Sequence, residues 1–264
     1  MDNGWDASAQ AWIESMGERG ERGDWGREHV LDPVMLGCIR GLYGSTQREK
    51  ESRPCSIVAY SADRRFRRAL DVGCGEGRFC RMLKDAGVAA VGIDPTQQLL
   101  ATARRRDQGG DYRLGQAERL EFESDSFDLV VSYLTLVDIA DFRAAIAEMV
   151  RVLKPGGSLS IANLTSFTSA CGEQGWVKGA EGRHLHYPVD RYLEEFSFWI
   201  EWSGIRIKNW HRPLAAYMTA FLEHGLKLNF FAEPGPVSGD EANQHRFRRV
   251  PWFVVMEWQR PAVS

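Results

Sequence analysis

The sequence lacks an excess of basic charge, a long apolar run, a Cys-x-x-Cys pair and any internal repeat or low-complexity tract. Each absence excludes a class of function. The 33 Lys and Arg stand against 36 Asp and Glu, a net charge of −3. Such a balance gives no general attraction to phosphate backbones or acidic lipid, so neither a dedicated nucleic-acid binder nor a membrane-surface protein is expected. Even residues 129–137 carry Ser132 and Thr135 and fall well short of the roughly 20 apolar residues a membrane span needs. Residues 1–6 have neither the basic region nor the apolar core of a signal peptide. The five cysteines (Cys38, Cys55, Cys74, Cys80 and Cys171) are odd in number, which predicts free thiols in a reducing cytosol and no structural zinc. A cytoplasmic protein is expected.

What is present reads as a globular α/β chain. Hydrophobic residues make up 44% and charged residues 26%, which excludes disorder. Its 264 residues fit one large domain or a domain with an appended cap. Residues 1–66 are polar, Gly- and Arg-rich, and predict a helical cap; around Asp32-Pro33 apolar residues recur at helical spacing over 30–42. From residue 67 the pattern changes to strands alternating with helices. Strands are predicted at 69–72, 89–93, 112–114, 127–134 and 158–164, and helices at 78–86, 97–106 and 141–153. Lys154-Pro155-Gly156-Gly157 reads as a helix stop. Residues 165–212 interrupt the rhythm with four tryptophans and three histidines. They read as an inserted lid, with a hairpin over 196–207 around Ser203-Gly204. A helix to about 224 and strands at 226–231 and 252–258 follow. Alternation of this kind implies a mostly parallel sheet covered on both faces, the Rossmann-like arrangement.

The most informative segment is Asp71-Val72-Gly73-Cys74-Gly75-Glu76-Gly77-Arg78, where a strand ends on three alternate glycines and a helix begins. Glycine lets a ligand approach the backbone and supplies unusual dihedrals. A dinucleotide fold needs a small residue three positions after its second glycine, and Arg78 stands there. A nicotinamide-dependent reductase is therefore disfavoured. The acidic-x-Gly-x-Gly-x-Gly form instead resembles motif I of class I S-adenosylmethionine-dependent methyltransferases. The likeness extends along residues 68–164. Val91-Gly92-Ile93-Asp94-Pro95 is similar to the second strand with its terminal acid, and Gly115-Gln116-Ala117-Glu118 to the adenine loop. That loop is usually written with Asp where this chain has Gln116, whose amide oxygen can still accept a hydrogen bond. Phe127–Ser132 and Arg151–Gly157 resemble the fourth strand and the turn before the fifth.

This resemblance implies a seven-stranded sheet of order 3-2-1-4-5-7-6 with the last strand antiparallel. It implies S-adenosylmethionine as methyl donor and S-adenosylhomocysteine as product, with no metal. The residues it assigns to the cofactor are Asp71, Gly73, Cys74, Gly75, Gly77, Asp94, Pro95, Gln116, Ala117, Glu118 and Ser132. Read without the family, Asp71 caps a turn and Asp94 is a solvated strand-end acid. Arg27 is either a surface charge or a partner for the cofactor's carboxylate, and Trp12 and Trp25 are its companions in closing over the site.

The acceptor is expected between the carboxyl ends of the strands, the cap and the lid. Trp176, His184, His186, Tyr187, Tyr192, Trp199, Trp202, Trp210 and His211 fall within 36 residues, a density that suits a flat aromatic or heteroaromatic small molecule or plain packing of the lid. His211 and His186 lead as candidate bases, with His184 behind them and Tyr187 orienting an acceptor hydroxyl. Oxygen is favoured over nitrogen or carbon as the methylated atom, and specialised metabolism is the expected setting. The alternatives are a tRNA- or protein-directed methyltransferase using the basic clusters 64–68 and 104–106, and a cofactor-binding pseudoenzyme. Apolar surface on the cap is compatible with a homodimer.

Overall fold

The apolar runs become strands of one sheet because burial on both faces asks for apolar residues at every strand position. The computed structural model describes residues 3–17, 24–42 and 66–262; Cys55, Arg64 and Arg65 lie outside these. The chain begins with helix α1 (Trp5–Ser15), then a π-helical turn (Arg27–Leu31) running into α2 (Asp32–Ile39), whose Pro33 sits in the first turn. The regular alternation follows: β1 (Arg68–Val72), α3 (Arg78–Asp85), β2 (Ala89–Asp94), α4 (Gln97–Arg106), β3 (Asp111–Leu114), β4 (Phe127–Tyr133), α5 (Phe142–Val152) and β5 (Leu153–Leu164). Next come α6 (Ser166–Ser169), the short strands β6 (Val177–Lys178) and β7 (His184–His186), and the hairpin β8 (Phe196–Trp202) and β9 (Ile205–His211). The chain closes with α7 (Leu214–Leu222), β10 (Lys227–Ala232), α8 (Glu241–Arg248) and β11 (Phe253–Gln259).

The sheet runs β3-β2-β1-β4-β5-β11-β10. Pairs among β1 to β5 are parallel, and β11 is antiparallel to both neighbours. Taking β10 and β11 as the sixth and seventh sheet strands, this is the expected order 3-2-1-4-5-7-6. Strand order reverses between β1 and β4, so a crevice opens at their carboxyl ends. Strand alternation sends Leu70, Val72 and Val130 against α5 and α7, and Ala69, Leu129 and Val131 against α2 and α3. Phe142, Ile146, Met149 and Val150 form the buried stripe of α5, whose first turn is capped by Asp141 accepting from Ala144 N at 3.0 Å. Each such side chain contributes about 1.5–3 kcal/mol on burial.

The helices of residues 1–66 do two different jobs. α2 places Met35, Cys38 and Ile39 in the core over one sheet face, so it belongs to the sheet's own layer rather than to a separate cap. α1 instead packs Ala9, Trp12, Ile13 and Met16 on Leu99, Ile205 and Ile207. It is pinned there by reciprocal bonds of Ser8 Oγ with the Arg206 backbone at 2.9 and 3.0 Å.

Three local readings change. Lys154–Gly157 lies inside β5 as a bulge, since Phe127 pairs with Leu153 and Leu129 with Ser158. The helix has ended by Leu153, already extended (φ −78°, ψ 131°), and Pro155 restricts the following Lys154 to the same region. The hairpin is longer than its turn alone reveals; Ser203 and Gly204 both take positive φ (47° and 79°), the turn type that matches strand twist. Helix α8 escapes the periodicity because none of its residues is buried. It is started by the Asp240 side chain, which accepts from Asn243 N at 2.9 Å.

Candidate active site

The turn after β1 is built so that backbone, not side chain, faces the crevice. Gly75 has φ +55° with nothing within 4 Å of where a Cβ would stand, leaving an open concavity. At Gly73 (φ +75°) a Cβ would meet Thr135 at 2.2 Å, so glycine there lets the turn lie against the end of β4. Asp94, at the end of β2, braces the turn: its Oδ2 accepts from Gly75 N at 2.9 Å and its Oδ1 from Thr96 N at 2.8 Å. Glu76 is buried and accepts from Arg81 at 2.9 Å and Arg106 at 2.8 Å. Arg106 also reaches the Gly17 carbonyl, tying the end of α1 to the turn.

Asp71 lies beneath the turn, 1% exposed. Its Oδ2 accepts from the Cys80 thiol at 3.4 Å, while Oδ1 has no partner among the described residues. Burial, with Asp94 and Glu76 adding like charge, pushes its pKa from 3.8 to about 7. A buried acceptor without a donor is uncommon, and this one borders the cavity.

That cavity has a volume of about 540 Å³. One end is formed by Asp71, Gly73–Glu76, Asp94–Thr96 and Gly115–Glu118. Its middle is walled by Trp12, Arg27 and Tyr133, with the Arg27 guanidinium 4.7 Å from the Trp12 ring. Tyr133 is held by its hydroxyl donating to Asp32 at 2.7 Å, and Asp32 in turn accepts from the two terminal guanidinium nitrogens of Arg78. Asn3, Trp5, Asp138, Lys208 and Trp210 complete the wall, with Thr135 standing against Gly73 of the turn.

The structure thus brings Asp71, Gly73, Cys74, Gly75, Asp94, Pro95, Gln116, Ala117, Glu118 and Arg27 around one space. Gly77 and Ser132 do not line it. Gly77 starts α3 against the Tyr112 ring, and Ser132 is 0% exposed within β4. Trp25 packs on Phe247 instead.

The predicted acceptor residues fall elsewhere. His211 is 0% exposed, with Nδ1 2.9 Å from Ser169 Oγ and Nε2 3.0 Å from the Tyr192 carbonyl; burial holds its pKa below the ordinary imidazole value. Both ring nitrogens are occupied, so it reads as a satisfied core histidine. His186 is exposed on β7, and the Tyr187 hydroxyl donates to the Thr168 carbonyl at 3.2 Å while accepting from the Cys171 thiol. Neither borders the cavity, nor does His184, whose ring lies 5.3 Å from Trp176. Lys208 and Trp210 of β9 border the cavity, whereas His211 is taken up between Ser169 and Tyr192. Of the lid aromatics only Trp210 lines the space, and the other aromatic rings there are Trp5, Trp12, Phe79 and Tyr133. Sequence reasoning missed Asp138, Trp5 and Lys208. The one signal available was an acid set in the apolar run 134–139 just past a strand end.

Among the described residues, no three His, Cys, Asp or Glu side chains gather as metal ligands, and no helix is long and apolar enough to cross a membrane. Residues 70–161 match the methyltransferase domain family. The chain is 36% identical over 182 residues to demethylmenaquinone methyltransferase of Renibacterium salmoninarum, covering 61% of this chain and 76% of that protein. It is 32% identical over 151 residues to malonyl-(acyl-carrier protein) O-methyltransferase of Enterobacter lignolyticus, 57% of this chain and 59% of the relative. Against three such O-methyltransferases it spans between 46% and 59% of their length. A solved S-adenosylmethionine-dependent methyltransferase from Mesorhizobium loti superimposes with a TM-score of 0.65 at 28% identity, covering 74% of this chain and 91% of that one. With the strand order and the glycine turn, these likenesses establish that the chain belongs to the class I S-adenosylmethionine-dependent methyltransferases.

Proposed function

We propose that the protein transfers a methyl group from S-adenosylmethionine to a small acceptor with a flat ring, at an oxygen atom. The observation that carries this reading is one cavity that runs from the glycine turn to an end walled by Trp5, Trp210 and Asp138. Donor and acceptor can meet there without leaving the protein.

The donor end fits such a ligand on the chain's own chemistry. The unpartnered Oδ1 of Asp71 suits an ammonium group, and the concavity at Gly75 admits a close approach to backbone. Arg27 suits the donor's carboxylate, Asp94 its ribose hydroxyls, and Gln116 with Ala117 its base. When bound, the donor supplies an electrophilic methyl on a sulfonium, already a good leaving group. The residues around it then have mainly to align and to exclude water. Trp12 and Tyr133 do the latter by closing the middle of the cavity.

The acceptor end supports a small molecule rather than a macromolecule, since it lies beneath α1 and β9. The Trp5 and Trp210 indoles that border it suit stacking on a flat ring. Relatives named for a malonyl-(acyl-carrier protein) and for demethylmenaquinone are in keeping with acceptors other than nucleic acid. The free thiols of Cys74, Cys80 and Cys171 are in keeping with a cytoplasmic setting. The test is release of S-adenosylhomocysteine from S-adenosylmethionine across hydroxylated aromatic acceptors. Turnover confined to such compounds is expected, and activity only on tRNA or protein would overturn the reading.

A further inference from the structure

The Asp138 carboxyl borders the cavity beside Trp5 and Trp210 and is held there by groups from separate elements. Asp138 stands in the loop between β4 and α5. Its Oδ2 accepts from the Trp5 indole of α1 at 3.0 Å, and its Oδ1 accepts from the Asn209 amide of β9. Two donors fix the carboxylate plane and leave further acceptor positions on both oxygens. The loop itself is clamped. The guanidinium of Arg212, 1% exposed, donates to the carbonyls of Leu136, Ile139 and Ala140, and Trp210 N donates to the Val137 carbonyl at 2.7 Å.

The other acids of the cavity are engaged differently. Asp94 is held by two backbone amides, Glu76 by Arg81 and Arg106, and Asp141 caps α5. Asp71 lies beneath the glycine turn, at the donor end. Asp6 lies in the first turn of α1, exposed, and Glu118 in the Gly115–Glu118 loop at the donor end.

We propose that Asp138 is the base that takes the acceptor's proton, that the acceptor is a phenol or enol, and that Trp5 and Asn209 are positioning residues for it. This rests on the methyl-transfer reading above. A neutral hydroxyl oxygen attacking a sulfonium methyl would carry positive charge unless its proton left in the same step. The Asp138 carboxylate receives that proton while the oxygen–methyl bond forms and the sulfur–methyl bond breaks, the bonding pair remaining on sulfur. A cationic sulfonium, a carboxylate and a neutral hydroxyl give a neutral thioether, a carboxylic acid and a methyl ether, so charge and atoms balance.

The electrostatics suit the role. Burial raises the Asp138 pKa to about 7, with Asp94 adding to the rise, while the bonds from Trp5 and Asn209 and the charge of Arg27 oppose it. Asp6, Asp141 and Lys208 are the remaining charged groups bordering that end of the cavity. A base with a pKa near working pH is the efficient one.

Two readouts test the assignment. The first is a carbon-13 NMR titration of aspartate carboxyl carbons in the protein saturated with S-adenosylhomocysteine, with Asp138→Asn identifying the resonance. Titration near pH 7 is expected, moving to higher pH in Trp5→Phe because a donor to the carboxylate is lost; titration in the ordinary carboxylate range overturns the proposal. The second is transfer from S-adenosylmethionine to catechol, 2-naphthol, a hydroxynaphthoquinone, benzoate and aniline. Transfer to the hydroxyl compounds is expected to fall as pH drops through the Asp138 value. In Asp138→Asn it should drop about 100-fold or more in kcat, with S-adenosylhomocysteine affinity unchanged. Full activity in Asp138→Asn, transfer confined to aniline or benzoate, or transfer to none of the five overturns it. Failure of the wild type to bind S-adenosylhomocysteine would instead sink the methyl-transfer reading.

Discussion

Replacing Asp71 by Asn should make the ligand-free protein gain stability, relative to wild type, as pH rises from 5 to 8. The carboxyl is 1% exposed, and burial carries its pKa from 3.8 to about 7 against the thiol bond from Cys80. The unfolded chain ionises it near 3.8. Below that value both states hold the proton and the residue has no pH-dependent effect. Between 3.8 and 7 the unfolded state releases its proton first, so stability falls as pH rises; above 7 the loss is constant. A displacement of this size amounts to about 4 kcal/mol at pH 8 and about 1.5 kcal/mol at pH 5. Asparagine removes that loss but sets an NH2 group where Oδ1 had no partner, costing about 1–2 kcal/mol at every pH. The variant should therefore gain about 2.5 kcal/mol on wild type between pH 5 and pH 8. Urea unfolding of both proteins at the two pH values measures it. A difference that is flat with pH, or that moves the other way, refutes the reasoning. The same variant should bind S-adenosylhomocysteine about tenfold more weakly or worse, since a charged hydrogen bond to the ligand's ammonium is lost.

The remaining predictions concern the turn, the loop and the histidines. Gly75→Val should cost about 1–2 kcal/mol in stability, because a branched side chain is forced to φ +55°; in calorimetry it should weaken S-adenosylhomocysteine by about tenfold or more, since the new side chain fills the concavity. Arg212→Met should lower stability by about 2–4 kcal/mol in urea unfolding, because the buried carbonyls of Leu136 and Ile139 and the partly buried one of Ala140 lose their donor at once. His186→Ala should leave turnover and stability unchanged. His211→Asn should lower the melting temperature through loss of its bonds to Ser169 and Tyr192, while turnover per folded molecule stays within about twofold, far from the loss that removal of a base produces.

The donor end was legible because one contiguous turn and two strand ends build it. Gly73, Gly75, Asp71 and Asp94 are near in sequence, and the physics of close backbone approach leaves a spacing that can be read directly. The sheet was legible for a related reason: strands covered on both faces are uninterrupted apolar runs, as at 127–133. The acceptor end has no such contiguity. Trp5, Asp138, Asn209 and Lys208 come from α1, a loop after β4 and β9, and only tertiary packing joins them. The histidine density of the lid pointed the wrong way, because His211 has both ring nitrogens engaged, by Ser169 and Tyr192. Trp176, His184 and Tyr187 pack on one another and on Trp252 rather than on the cavity. Helix α8 was illegible because its one apolar contact of note is the partly buried Phe247, against Trp25, Trp252 and Phe253, and a single such residue leaves no period.

The central claim is that the cavity between the glycine turn and Trp210 holds S-adenosylmethionine. Titration calorimetry of the full chain with S-adenosylhomocysteine and, separately, with NADPH tests it most directly. The account predicts one site of about micromolar affinity for S-adenosylhomocysteine (about −8 kcal/mol), weakened in Gly75→Val, and no heat from NADPH. Binding of NADPH alone, or S-adenosylhomocysteine binding indifferent to Gly75→Val, would contradict it.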